Sequence, residues 1–129
     1  MIELFVDAAT AGSPKVSAIG VFLKGEDHHI QTSEYVGEMD NHEAEFTALV
    51  KGLQLAADLS SGMLSIKSDS KVVTDAFDKG FTKNPVFKPL LEEALKLADT
   101  FDYCFIKWIP DSQNRAADAL ARTELRKHK

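Results

Sequence analysis

Four acidic residues stand where carboxylates could do chemistry. Asp7 follows the apolar run Ile2–Val6, and Asp69 follows Leu64–Ser68. Glu45 sits near the start of a helical pattern, and Asp118 lies among Ala116, Ala117, Ala119 and Ala121. Each has an ordinary structural reading. Asp7 is a turn residue, Asp69 a helix cap, Glu45 a complement to a helix dipole, and Asp118 an exposed helix acid. As a set they read differently. The small alanines around Asp118 let its helix come close to a neighbouring sheet, which would turn the carboxylate inward. Four carboxylates gathered in one cleft repel one another and are costly to desolvate, and divalent cations are the natural compensation. Mg²⁺ is a hard ion that takes oxygen ligands and keeps several waters, leaving room for phosphate oxygens. Two such ions about 4 Å apart suit phosphodiester hydrolysis. Residue pattern alone leaves the convergence of the four acids open.

The elements that must position these acids follow from periodicity. Ile2–Val6 predicts a strand ending at Asp7, Val16–Leu23 a second and His29–Val36 a third, with turns at Gly12-Ser13-Pro14 and Gly25-Glu26-Asp27. Asp40 with Glu43 three residues on predicts a capping box, opening a helix whose apolar face carries Phe46, Leu49, Val50, Leu53 and Ala57. Leu64–Ser68 predicts a short strand. Val72, Val73, Ala76 and Phe77 mark a helix stopped by Gly80, and Asn84-Pro85 opens another with Leu90, Leu91, Ala94, Leu95 and Ala98 as its buried stripe. Tyr103–Ile109 predicts the last strand, ended by Pro110. Asp111 or Ser112 is the expected cap of a final helix reaching about Arg126. Three strands, helix, strand, one or two helices, strand and helix imply an α/β chain with a mixed sheet and helices on its faces. Ligands of such sheets collect beyond the carboxyl ends of the parallel strands, where Asp7 and Asp69 fall.

Composition narrows the class. With 129 residues, 44% hydrophobic and 27% charged, and no repeat or linker, residues 1–129 read as a single globular domain. The longest apolar runs, such as Ala18–Leu23, are too short to cross a bilayer, and Met1–Asp7 carries no basic leader or cleavage signal, so a cytoplasmic protein with no membrane partner is expected. The one cysteine, Cys104, lies in an apolar run and reads as a buried small hydrophobe. Net charge is −5, which is unusual for a nucleic-acid binder, although two bound divalent ions would bring it near −1. The charge is also uneven. Phe105 to the end holds six Lys/Arg against three acids, whereas Glu26–Glu45 holds seven acids and no Lys or Arg. Trp108 reads as a core or sheet-face residue, His28 and His29 as exposed strand-end residues, and Arg126-Lys127-His128-Lys129 as a solvated basic tail.

Taken together, Asp7, the run Asn41-His42-Glu43-Ala44-Glu45-Phe46-Thr47-Ala48-Leu49, Ser68-Asp69-Ser70, and Trp108-Ile109-Pro110 followed by Asn114-Arg115-Ala116-Ala117-Asp118-Ala119-Leu120-Ala121 resemble the type 1 ribonuclease H family. The likeness is to its short, reverse-transcriptase-like branch and spans nearly the whole chain. It implies a ribonuclease H-like fold, a five-stranded mixed sheet in the order 3-2-1-4-5 flanked by helices. It implies an endonuclease that hydrolyses the RNA strand of RNA–DNA hybrids, leaving 3′-hydroxyl and 5′-phosphate ends without a covalent enzyme intermediate. It implies Asp7, Glu45, Asp69 and Asp118 as catalytic metal ligands for two Mg²⁺ (or Mn²⁺) ions. Asn41, His42, Ser70 and Lys71 would then contact the hybrid, Asn41 and His42 on the minor groove where 2′-hydroxyls identify RNA.

The chain departs from the family pattern in three places. Asp7-Ala8-Ala9 replaces the usual Asp-Gly-Ser or Asp-Gly-Ala, Pro110–Asn114 is short and lacks a histidine, and a basic protrusion is missing around Gly80. These bear on turnover and substrate grip and leave the four acids intact. They also define the alternative, a ribonuclease-H-like nucleic-acid-binding module with weak or no catalysis. A haloacid-dehalogenase-type phosphotransferase, suggested by Asp7 with Thr10 nearby, needs a second aspartate where Ala9 stands. A scaffold without a site leaves the four ordered motifs unexplained.

Overall fold

A computed structural model describes residues 1–128 of the chain, so Lys129 of the basic tail lies outside the described residues. The strands are β1 (Ile2–Ala11), β2 (Val16–Gly25), β3 (His28–Glu38), β4 (Met63–Ser68) and β5 (Tyr103–Trp108). The α-helices are α1 (Asn41–Leu59), α2 (Lys71–Lys79), α3 (Lys88–Ala98) and α4 (Arg115–Lys127), with a single 3₁₀ turn at Asp111–Gln113. The sheet runs β3-β2-β1-β4-β5, with β1–β2–β3 antiparallel and β4 and β5 parallel to β1. Sheet order and flanking helices match what the resemblance implied.

The core lies between the sheet and α1. Ile2, Leu4 and Val6 alternate onto one face of β1 and meet Phe46, Leu49 and Leu53 of α1, all fully or almost fully buried. Asp40 caps α1 as expected, its Oδ1 accepting from the Glu43 N–H at 2.8 Å. Gly52 lets that helix lie close, since a Cβ there would sit 2.8 Å from Val6 Cγ1. On the opposite face α4 packs against β1, β2 and β3 through Ala117, Ala121 and Leu125. Its approach is set by Gly20 of β2, where a Cβ would come within 2.1 Å of the Ala117 carbonyl oxygen.

Several element ends differ from the expectation. β1 does not stop at Asp7. Its parallel pairing with β4 ends at Val6↔Ser68, while its antiparallel pairing with β2 continues to Ala11↔Val16. Asp7 is therefore the first residue past the parallel ladder, still held by β2. Asn84 does organise the turn before α3, accepting from the Val86 N–H at 2.8 Å, but the helix begins only at Lys88. Neither Asp111 nor Ser112 caps the last helix. Asp111–Gln113 forms the 3₁₀ turn and Asn114 takes the N-cap position, with its side chain committed elsewhere.

Candidate active site

The edge of the sheet beyond the carboxyl ends of β1 and β4 holds the acidic cluster. Asp7, Glu45 and Asp69 each offer a carboxylate oxygen within 4.8 Å of the others. β1 delivers Asp7 on the face opposite Val6, the second turn of α1 delivers Glu45, and the β4–α2 junction delivers Asp69. The three are drawn together because α1 packs across the sheet by its apolar stripe, while Ser70 caps α2 immediately after Asp69 by accepting from the Val73 N–H at 3.2 Å. They line an open cleft of about 480 Å³ with Asn41, Trp108 and Asp118. Asp118 stands on the rim, about one-third exposed, and its Oδ1 accepts from Arg122 Nε at 2.9 Å. The structure thus gathers three of the four expected acids tightly and sets the fourth beside them under an arginine.

Burial and mutual repulsion dominate the electrostatics. Asp7 is 7% exposed. Its carboxyl is pushed up to about 8, first by burial and then by Asp69, and the Ala8 N–H bond to its Oδ1 at 2.8 Å offsets only part of this. Burial also raises Glu45, against hydrogen bonds from His42 and Ser70. Asp69 is raised by burial, opposed by Asn114 and reinforced by Asp111 and Asp118. Such a cluster of hard oxygen donors suits a divalent cation chemically, because an ion would offset the burial and mutual repulsion that raise these carboxyls.

The remaining expected site residues surround the cluster. Asn41 and His42 are exposed at the start of α1. Asn41 Oδ1 accepts from Thr10 Oγ1 at 3.2 Å, and His42 Nδ1 lies 3.1 Å from Glu45 Oε1. Ser70 is buried and occupied as the α2 cap, whereas Lys71 is exposed with its Nζ 4.8 Å from the Trp108 ring centroid. Trp108 corrects the sequence reading. It is 41% exposed at the cleft, and its Nε1–H donates to the Asp69 carbonyl at 3.0 Å, because β5 ends at Trp108 and leaves the ring over the β4–α2 junction. Cys104 is half-buried with its thiol raised to about 11 by burial, in keeping with an inert packing residue. His128 is exposed as expected of the tail, yet it stacks on Tyr35 at 4.2 Å and lies 3.0 Å from Glu124 Oε2.

Sequence reasoning missed Asn114 and Arg122. Asn114 is 1% exposed, and its Nδ2 donates to the Val6 carbonyl at 2.9 Å and to Asp69 Oδ2 at 3.5 Å. One amide therefore joins β1, the Asp69 carboxylate and the start of α4. The signal available beforehand was an asparagine just ahead of the alanine-rich helix, which reads equally as a cap. Arg122 was legible as the i+4 partner of Asp118.

A mixed sheet of this order, with carboxylates at the carboxyl edge of its parallel strands, defines a ribonuclease H-like fold carrying a candidate metal site. Over 98% of its length the chain superposes with a TM-score of 0.90 and 28% identity on the crystal structure of RNase H1 from Halobacterium salinarum, covering 98% of that chain. The chain belongs to the family described as reverse transcriptase-like, whose pattern matches residues 5–124. It is 37% identical to the Enterococcus faecalis protein named "Putative hydrolase EbsB", over 98% of this chain and 96% of that protein. It is 31% identical to the Ribonuclease HI of Halobacterium salinarum over 96% of this chain, spanning 64% of that relative's length. Among the described residues no helix is long and apolar enough to cross a membrane.

Proposed function

We propose that this protein is a ribonuclease H, a metal-dependent endonuclease that hydrolyses the RNA strand of RNA–DNA hybrids. The observation that carries the reading is the convergence of Asp7, Glu45 and Asp69 oxygens within 4.8 Å at the sheet edge. Its support is membership of the reverse transcriptase-like family together with 31% identity to a relative named Ribonuclease HI. In this reading residues 1–129 act as one domain in the cytoplasm.

Asp7, Glu45, Asp69 and Asp118 are the proposed ligands of two Mg²⁺ or Mn²⁺ ions. Divalent ions held there would supply Lewis-acid activation of the phosphodiester and of the attacking water. The protein's own groups do the rest. Asn114 holds Asp69 toward Asp7, and the Trp108 indole fixes the backbone from which Asp69 projects. His42, hydrogen-bonded to Glu45, restrains that carboxylate at the mouth of the cleft. Asn41 is placed to meet sugar hydroxyls in the hybrid's minor groove, and Lys71 to meet phosphate. Ser70 acts from its cap position through the α2 N-terminus and its bond to Glu45.

The test is cleavage of a labelled RNA–DNA hybrid with Mg²⁺ or Mn²⁺, comparing the wild type with Asp69→Asn. Cutting of the RNA strand only, dependent on the ion and lost in the variant, is expected. A folded wild-type protein that cuts no hybrid with either ion would overturn the enzyme reading in favour of a binding module.

A further inference from the structure

The face of the sheet opposite α1 is only half covered. α4 crosses β1, β2 and β3 at the end bearing Gly20 and Asp7, leaving the other end of these strands and the β4–β5 side open. Met63 and Tyr103 there are 47% and 58% exposed. Strand alternation and register place two rows of side chains on this open surface. One row pairs Phe22 with Phe5, Phe5 with Lys67, and Lys67 with Lys107. The next pairs Lys24 with Glu3, Glu3 with Ser65, and Ser65 with Phe105.

Rings and ammonium groups alternate across these rows. Phe5 and Phe22 stack with centroids 5.7 Å apart, His29 meets Phe22 edge-on at 5.1 Å, and Tyr103 lies 5.4 Å from Phe105. Lys24 and Lys67 rest over the Phe5 ring at 5.6 and 5.3 Å. A groove of about 220 Å³ runs between Phe5, Phe22 and Lys24 and the start of α4, where Arg115 is exposed. Around it Lys24, Lys107 and Arg115 are exposed, and Glu3 pairs with both Lys24 and Lys67. In a chain of net charge −5 this is a local reversal of sign.

We propose that this half-face binds single-stranded nucleic acid, apart from the acidic cleft. Unpaired bases offer flat π-faces to the exposed Tyr103 and His29 rings and to the half-buried rings of Phe5, Phe22 and Phe105, and the backbone running between them takes phosphate charge from the lysines. A duplex keeps its bases stacked internally and cannot use the rings. A second copy of the chain would set Lys24, Lys67 and Lys107 against the same lysines, which disfavours a symmetric dimer. Asp7, Glu45, Asp69 and Asp118 take no part in this surface, so single-strand binding stands or falls separately from the ribonuclease reading.

The test is fluorescence anisotropy of a labelled oligouridylate on the order of 12 nucleotides, in EDTA and low salt so that no cleavage intervenes. The wild type is expected to bind, with affinity falling steeply as salt rises. Lys24→Glu with Lys107→Glu is expected to weaken binding about ten-fold or more. Phe22→Leu, which keeps an apolar side chain, is expected to weaken it about five-fold. Both variants should retain wild-type circular dichroism and cleave a blunt-ended hybrid as the wild type does. Absence of binding by the wild type, or equal binding by folded variants, would overturn the proposal. Sedimentation showing a dimer that Phe22→Leu dissociates, with no RNA bound, would assign the face to self-association instead.

Discussion

Val6 and Asp7 are neighbours on one strand and belong to opposite worlds. Val6 points into the layer shared with α1, where Leu4, Phe46 and Leu53 are fully buried. Asp7 points to the other face and is nearly as buried, but its neighbours are two more carboxylates. The first region stabilises the fold by burial, worth about 1.5–3 kcal/mol for each large aliphatic or aromatic side chain. The second opposes it, since its carboxyls are buried and raised toward the protonated state until a cation arrives. Burial of the same degree has opposite energetic signs one residue apart, and the unfavourable one marks function.

Substitutions at the two places should therefore move stability and activity in opposite directions. Asp7→Asn is expected to reduce hybrid cleavage below detection while raising the melting temperature of the metal-free protein, because it removes a carboxyl that burial among other acids forces to take up a proton on folding. A variant that is less stable in EDTA would break the contrast. In the apolar layer, Leu53→Ala should destabilise the protein by about 2–5 kcal/mol in urea unfolding. Cleavage per folded molecule should persist, showing that the layer supports the site without taking part.

Asn114→Ala sits between the two regions. Loss of its bonds to the Val6 carbonyl and Asp69 should cost about 10–100-fold in activity, with a higher Mg²⁺ requirement. Partial rescue by excess Mg²⁺ would distinguish a positioning role from simple unfolding.

The last expected effect is a slope in pH. The Asp7 carboxyl rises from an ordinary 3.8 to about 8 in the folded, metal-free protein, so the folded state keeps a proton that the unfolded chain has released. This contribution to stability is fully present below the unfolded value and is lost as pH rises through about 8. Thermal unfolding in EDTA should thus show falling stability between about pH 4 and pH 8. Mg²⁺ should reverse that trend most strongly at the upper end, because ion binding displaces the proton. A pH-independent difference between EDTA and Mg²⁺ would dissociate the Asp7 carboxyl from ion binding.

Much of this protein was legible in its residues. The Asp40–Glu43 cap, the α1 stripe and the Gly80 stop are local, set by hydrogen bonds and periodicities that span a few residues. The small residues around Asp118 announced the close approach of α4, although the complementary gap at Gly20 lies on another strand and carries no local sign of its role. Element ends were least legible where partners decide them. β1 runs on past Asp7 because β2 still pairs with it, and α4 starts late because Asp111–Gln113 is taken by a 3₁₀ turn.

The sequence by itself determined which elements form, their order, and that four acids fall at strand ends and on helices near them. It did so because those signals are short-range. Only the tertiary structure decided that three of those acids share a space of 4.8 Å, that Asp118 stands apart under Arg122, and that Asn114 and Trp108 hold the Asp69 corner. Apart from the local Asp118–Arg122 pair, those relations join residues 24 to 108 positions apart or fix the orientation of a whole helix on the sheet. They follow from how α1 and α4 pack on opposite faces, through the close contacts at Gly52 and Gly20, which no local periodicity encodes.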